Sequence, residues 1–218
     1  MKRKLTVKGV GKISVKPDLI VVKMELSSLR PDYQETMELA AQSVKALQEA
    51  IQAVGFTKED LKTTNFSLDI HYEKAYDHAG NYKSKFVGYL CEQELKLEFA
   101  YDLTLLPAVL AAIAQAPVNP QLELKFTVKD KTAVQEKLLV KATENARQKA
   151  EILTKAAGVS LGKLLSIDYN WSEIQLYSST RYIMEDNPYV LAEASVPEIE
   201  PDEINVSDAV TFVWELTD

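Results

Sequence analysis

Apolar and polar residues alternate with a period of two along most of this chain, and that pattern narrows the architecture before any motif is considered. In "LTVKGVGKISVK", Leu5, Val7, Ile13 and Val15 are apolar, while Lys8, Lys12, Ser14 and Lys16 oppose them. The alternation returns at Ile20, Val22, Met24 and Leu26, at Phe66, Leu68, Ile70 and Tyr72, and along the odd positions from Val87 to Tyr101. It recurs at Leu122, Leu124, Phe126 and Val128, at Leu165, Ile167, Tyr169 and Trp171, and from Ile204 to Leu216. A strand that is apolar on one face belongs to an antiparallel sheet with one side packed and the other wet. Strands of a doubly wound parallel sheet would read as unbroken apolar runs.

Three helical segments separate these strands. "RPDYQETMELAAQSVKALQEAIQAVG" carries Ala40, Val44, Leu47, Ile51 and Val54 on one stripe; Asp32 is placed to cap it, with Glu35 three residues on and Gly55 as the stop. A second helix is expected over about 103–116, closed by Pro117. A third, capped by Thr132 with Gln135, contains "ATENARQKAEILTKAAGVSLGKL". The order β-β-α-β-β-α-β-α-β-β predicts an α+β fold, a largely antiparallel sheet packed on one face by helices. The chain reads as a single domain over 1–218, with an irregular acidic excursion at about 173–203, where Pro188, Pro197 and Pro201 interrupt any period.

Ala142, Ala146 and Ala150 recur every four residues along the third helix. A leucine stripe holds a helix roughly 10 Å from its neighbour, and alanine permits closer approach. The line therefore predicts a helix pressed onto a sheet or another helix, a packing device. Gly9 and Gly11 interrupt the first strand and predict either a bulge or a close backbone approach.

Composition removes several functional classes. The 218 residues carry a net charge of −7, which disfavours a broad nucleic-acid surface. A single cysteine, Cys91, excludes an internal disulfide and a thiolate cage. No apolar run approaches the roughly 20 residues of a membrane helix. The basic start "MKRKLTVKG" lacks the apolar segment of a secretory signal. The expected location is cytoplasmic as written, and periplasmic or secreted if a leader has been removed.

Residues able to carry chemistry are few. His71 and His78, with Asp69 or Glu73, match no strong metal-ligand spacing. Cys91 falls on an apolar strand face, where a thiol behaves as a small hydrophobe. "VKGVGK" has neither the third glycine nor the following helix of a phosphate cradle. Glu92, Glu94 and Glu98 line one strand face with Lys96 among them, a solvated sheet face or a hydrophilic lining in an assembly. Tyr169, Trp171, Tyr177, Tyr182 and Tyr189 lead through the acidic excursion, where rings serve either an interface or packing onto the sheet.

Four ordered stretches resemble one family, the SIMPL domain family. They are "VKGVGKISVKPD", through Val7, Gly9, Gly11, Val15, Pro17 and Asp18; "FVGYLCEQELKLEF", at Gly88 and Tyr89; Ala142, Ala146, Lys149 and Ala150 followed by Gly158, Leu161 and Gly162; and the closing "PEIEPDEINVSDAVTFVWEL". The resemblance implies a mostly bacterial group, often exported, with one immunogenic periplasmic member that assembles into a channel-like ring. Other members are linked to oxidative-stress tolerance or, in animals, to kinase signalling. It carries over no catalytic residues. The chain departs from the pattern in "LDIHY", where many members have a proline before the tyrosine.

Residues and resemblance together predict a non-enzymatic, oligomer-forming protein with a role in the envelope or in stress response. The partner expected is a second copy of the chain. No cofactor, metal, nucleic acid or membrane insertion is expected, no catalytic or binding residue is assigned, and any small-molecule ligand is unknown. The alternative is a small-molecule or peptide binder using the aromatic region around Trp171–Tyr189.

Overall fold

A computed structural model describes residues 3–76, 82–170, 174–180, 182–184 and 200–218. Strands β1 (Lys4–Val15) and β2 (Leu19–Arg30) lead into helix α1 (Tyr33–Gln52) and a single 3-10 turn, Lys58–Asp60. Then come β3 (Leu61–Tyr76), β4 (Tyr82–Ala100), α2 (Leu105–Gln115), β5 (Gln121–Thr127) and α3 (Lys131–Ala156). The chain closes with β6 (Ser160–Asp168), β7 (Tyr182–Met184) and β8 (Ile204–Thr217). The expected order holds, with the three-residue β7 added inside the excursion. The strands form two sheets, ordered β1-β8-β6 and β3-β4-β2-β5-β7. The pairings β1–β8, β6–β8, β2–β4, β3–β4 and β5–β7 are all antiparallel.

The chain divides into two compact units. The first comprises Met1–Asp18, Thr127–Ser179 and Pro201–Asp218; the second comprises Leu19–Phe126 and Thr180–Glu200.

In the second unit the alternating residues sit where their period places them. Ile20, Val22, Met24 and Leu26 of β2 are buried with Leu95, Leu97 and Phe99 of β4 and Leu122, Leu124 and Phe126 of β5. Leu47 and Ile51 of α1 and Leu106, Val109, Leu110 and Ile113 of α2 complete that core. An aspartate stands at the entry to each helix, Asp32 as the cap of α1 and Asp102 two residues ahead of Thr104, the cap position of α2. The Asp32 carboxylate accepts from the Gln34 and Glu35 amides at 2.8 and 3.1 Å, and that of Asp102 from the Thr104 and Leu105 amides at 2.8 and 3.1 Å. β3 and β4 form the expected hairpin, paired from Leu61 opposite Leu97 to Tyr76 opposite Tyr82, with register shifts between Thr63 and Asn65 and between His71 and Tyr72. The turn expected at Gly80–Asn81 lies outside the described residues.

In the first unit α3 lies on the three-stranded sheet. Its N-terminus is capped by Asp130, whose carboxylate accepts from the Ala133 amide at 2.9 Å, and not by Thr132, which lies within the helix. The aspartate wins because it stands just outside the first helical residue, where the orphan amides point. The helix ends at Gly158, with φ +70. Phe212 and Trp214 of β8 stack at 5.4 Å and are buried with Val7 of β1 and the three alanines. β6 departs from the simple alternation. Its register against β8 shifts between Leu161 and Leu164 and again between Leu164 and Ser166, leaving Leu164, Leu165 and Ile167 exposed.

Candidate functional site

The glycines of β1 and the alanines of α3 meet. Both glycines and Ala142, Ala146 and Ala150 are buried, and β1 pairs with β8 without a break from Lys4 to Val15, so the glycines mark a close approach and not a bulge. A Cβ added at Gly9 would run into the carbonyl oxygen of Ala142 and lie 2.7 Å from the Ala146 Cβ. One added at Gly11 would run into the Leu138 carbonyl oxygen and lie 3.0 Å from the Ala142 nitrogen. Helix backbone rests on strand backbone, which neither element tolerates with a larger side chain.

The residue before each alanine takes a second role. Lys141 Nζ donates to the Lys12 carbonyl at 3.4 Å, the Val10 amide donates to Asn145 Oδ1 at 3.0 Å, and Lys149 Nζ donates to the Lys8 carbonyl at 3.1 Å. Four residues of helix rise about 6.0 Å and two residues of strand about 6.7 Å, so the two ladders stay in step over three rungs. β1 is an edge strand, and these three side chains engage the backbone groups that β8 leaves unpaired. Sequence reasoning missed them. The signal available was the Lys-Ala, Asn-Ala, Lys-Ala pairing at a spacing of four. A groove of about 620 Å³ runs alongside, lined by Lys12, Lys141, Glu144, Asn145, Gln148 and Lys149. Its charges are mixed, and its lining is already committed to holding helix to strand.

Asp18 joins two segments of the same unit. Its amide donates to the Thr127 carbonyl at 3.0 Å, and its carboxylate accepts from the Lys129 amide at 2.6 Å. Tyr169 hydroxyl donates to Asp208 at 2.9 Å, and burial together with that bond pushes its ionisation up. Tyr177 is partly exposed and donates to Gln175. Trp171, Tyr189 and the Tyr182 side chain lie outside the described residues, so the aromatic region is described only in part.

The candidate chemical groups are dispersed. Asp69, His71 and Glu73 project from one side of β3, and His78 lies outside the described residues. Among the described residues, no three of His, Cys, Asp or Glu stand together as metal ligands. Cys91 is buried on β4, and burial, reinforced by the charge of Glu92, pushes its thiol up and away from the thiolate a nucleophile requires. Glu92, Glu94 and Glu98 are exposed on the open face of the second sheet. There Lys96 pairs with Glu98 at 2.8 Å, and on β5 Lys125 pairs with Glu123 at 3.2 Å. Carboxylates sharing one wet environment do not separate into acid and base.

The second unit also exposes an apolar stripe. Tyr33 meets Tyr89 edge-on at 5.7 Å, Tyr89 meets Phe86 at 5.8 Å, and Phe86 meets Tyr72 at 6.0 Å. Phe66, Ile70 and Tyr72 continue along alternate positions of β3. Tyr33, Phe66, Ile70, Tyr72 and Phe86 are between 44% and 54% exposed. Gly88 lets this end of β4 approach β2, since a Cβ there would run into the Arg30 carbonyl.

Residues 5–214 match the family model for SIMPL, described as a protein of unknown function (DUF541). The chain belongs to the SIMPL family. Two of its ordered stretches, the glycine strand and the alanine helix, are thus the two halves of one contact. Two relatives are the 26 kDa periplasmic immunogenic proteins of Brucella melitensis biotype 1 (strain 16M) and Brucella abortus (strain S19). Each is 23% identical over 164 residues, which is 75% of this chain and 65% of the relative. The match therefore spans less than two thirds of either relative's length. Among the described residues, no helix is long and apolar enough to cross a membrane.

Proposed function

We propose that this SIMPL protein is a non-enzymatic, self-associating protein. The observation that carries this reading is apolar surface left in water on edge strands. β3 ends one sheet with Phe66, Ile70 and Tyr72 about half exposed, and β6 ends the other with Leu164, Leu165 and Ile167 exposed. Monomeric proteins rarely leave contiguous apolar patches beyond a few hundred Å² uncovered, and an open apolar edge is a template for pairing with another chain. The buried thiol and the exposed carboxylates, which share one wet sheet face, support a role without covalent or acid/base chemistry. The name carried by the Brucella relatives supports a place for that role in the bacterial envelope.

Native mass spectrometry of the purified protein tests the reading. A defined multiple of the 24.4 kDa chain is expected. A single-chain species at every concentration contradicts self-association. Fractionation of the source cells tests the location, and recovery from the cytoplasm alone contradicts the envelope.

A further inference from the structure

We infer that β3 is the strand that pairs a second copy of this chain, antiparallel to itself about a two-fold axis at Ile70; the inference rests on the self-association just proposed. β3 stands at the end of its sheet, with β4 on one side and no described strand on the other. Its register against β4 brings Ile70 opposite Tyr89 and Tyr72 opposite Phe86, so Phe66, Leu68, Ile70, Tyr72, Phe86 and Tyr89 share one face.

Area and charge together choose the occupant. Five side chains about half exposed, at about 150–250 Å² per aromatic, leave on the order of 500 Å² of apolar surface in water. A stable pair needs about 800 Å² from each partner, an apolar centre with a polar rim. The stripe supplies that centre, and the flanking polar residues of β3 supply the rim.

The register follows from the charges. Centring the axis at Asp69 sets two aspartates face to face, and centring it at His71 sets Asp69 against Glu73 twice. Centring it at Leu68 leaves Asp69 opposite Ser67, with no counter-charge, on the regular stretch beyond the bulge between Thr63 and Asn65. An axis at Ile70 places Asp69 opposite His71 of the other copy, twice over, and Leu68 opposite Tyr72. It also sets Lys74 opposite Phe66, where an ammonium meets a ring face favourably. The strand is complementary to its own reverse, as a two-fold interface requires.

Sedimentation velocity on the wild type and three variants tests this. Ile70→Asp, at a half-exposed position, is expected to keep the wild-type circular dichroism spectrum and to raise the dissociation constant about 30-fold or more. Asp69→Lys is expected to weaken pairing, and adding His71→Asp to restore it. Ile70→Cys, oxidised, is expected to give a covalent dimer on a non-reducing gel, because residues opposite each other across a two-fold lie within reach of a disulfide. The oxidation is run in a Cys91→Ala background, because Cys91 shares this face of the sheet and lies two residues along β4 from the partner of Ile70. An assembled wild type whose stoichiometry is unchanged by Ile70→Asp, or an Ile70→Cys protein that stays monomeric on oxidation, overturns the inference and leaves self-association standing. A monomeric wild type overturns both.

Discussion

At the residue scale, the sharpest constraint in the chain is the lack of a side chain at Gly9 and Gly11. What an added methyl would strike is main chain, which cannot swing aside as a flexible side chain would. Gly9→Ala is therefore expected to cost about 3 kcal/mol, at the upper end of overpacking, and urea unfolding measures it. A second residue-scale prediction concerns pH. Hydrogen bonds from the Thr104 side chain and from the Thr104 and Leu105 amides hold the Asp102 carboxyl below its ordinary range. A carboxyl depressed in the folded state contributes stability above its unfolded value, and that contribution is lost as pH falls through the folded one. Asp102→Asn is thus expected to flatten the fall in stability on the acid side of pH 4, read as melting temperature against pH. An unchanged acid slope would remove Asp102 from the start of α2.

At the scale of elements, α3 and β1 work as one part. The alanines set the distance between them, and the side chains just before the alanines bind the strand's unpaired backbone. Loss of Asn145 leaves the Val10 amide without its partner, a cost of about 1 kcal/mol. The start of α3 offers a direct comparison. Asp130→Ala is expected to destabilise the protein by about 1 kcal/mol and Thr132→Ala by far less, measured by the same unfolding curves. Equal effects would return the cap to Thr132. The sequence pattern points to a capping box because Thr132 and Gln135 have the right spacing; the helix begins two residues earlier than that spacing requires, at Lys131 with Asp130 as its cap.

For the whole molecule, the alternation made the element order and the one-sided packing of the strands legible. Ile20 to Leu26 and Leu122 to Phe126 are buried as their period implies, since a strand that shows one face to a helix layer cannot hide which face it is. Alternation does not state which strands join, so the division into two sheets was not legible. β6 was misjudged for a related reason: two register shifts break the link between sequence parity and face, and Ile167 ends up exposed. The contact between Gly9, Gly11 and the alanine line was half legible, each side calling for a close neighbour and neither naming the other. The exposed stripe was harder still. Phe66, Ile70 and Tyr72 look like core in a linear pattern, and only the position of β3 at a sheet edge shows that nothing in the chain's described residues covers them.

Hydrogen exchange at two protein concentrations tests self-association through β3 most directly. At high concentration, every second amide from Phe66 to Tyr72, on the edge facing away from β4, is expected to be protected, and to lose that protection on dilution below the dissociation constant. Exchange at those amides that is fast and independent of concentration, in a protein that still sediments as an assembly, would contradict it.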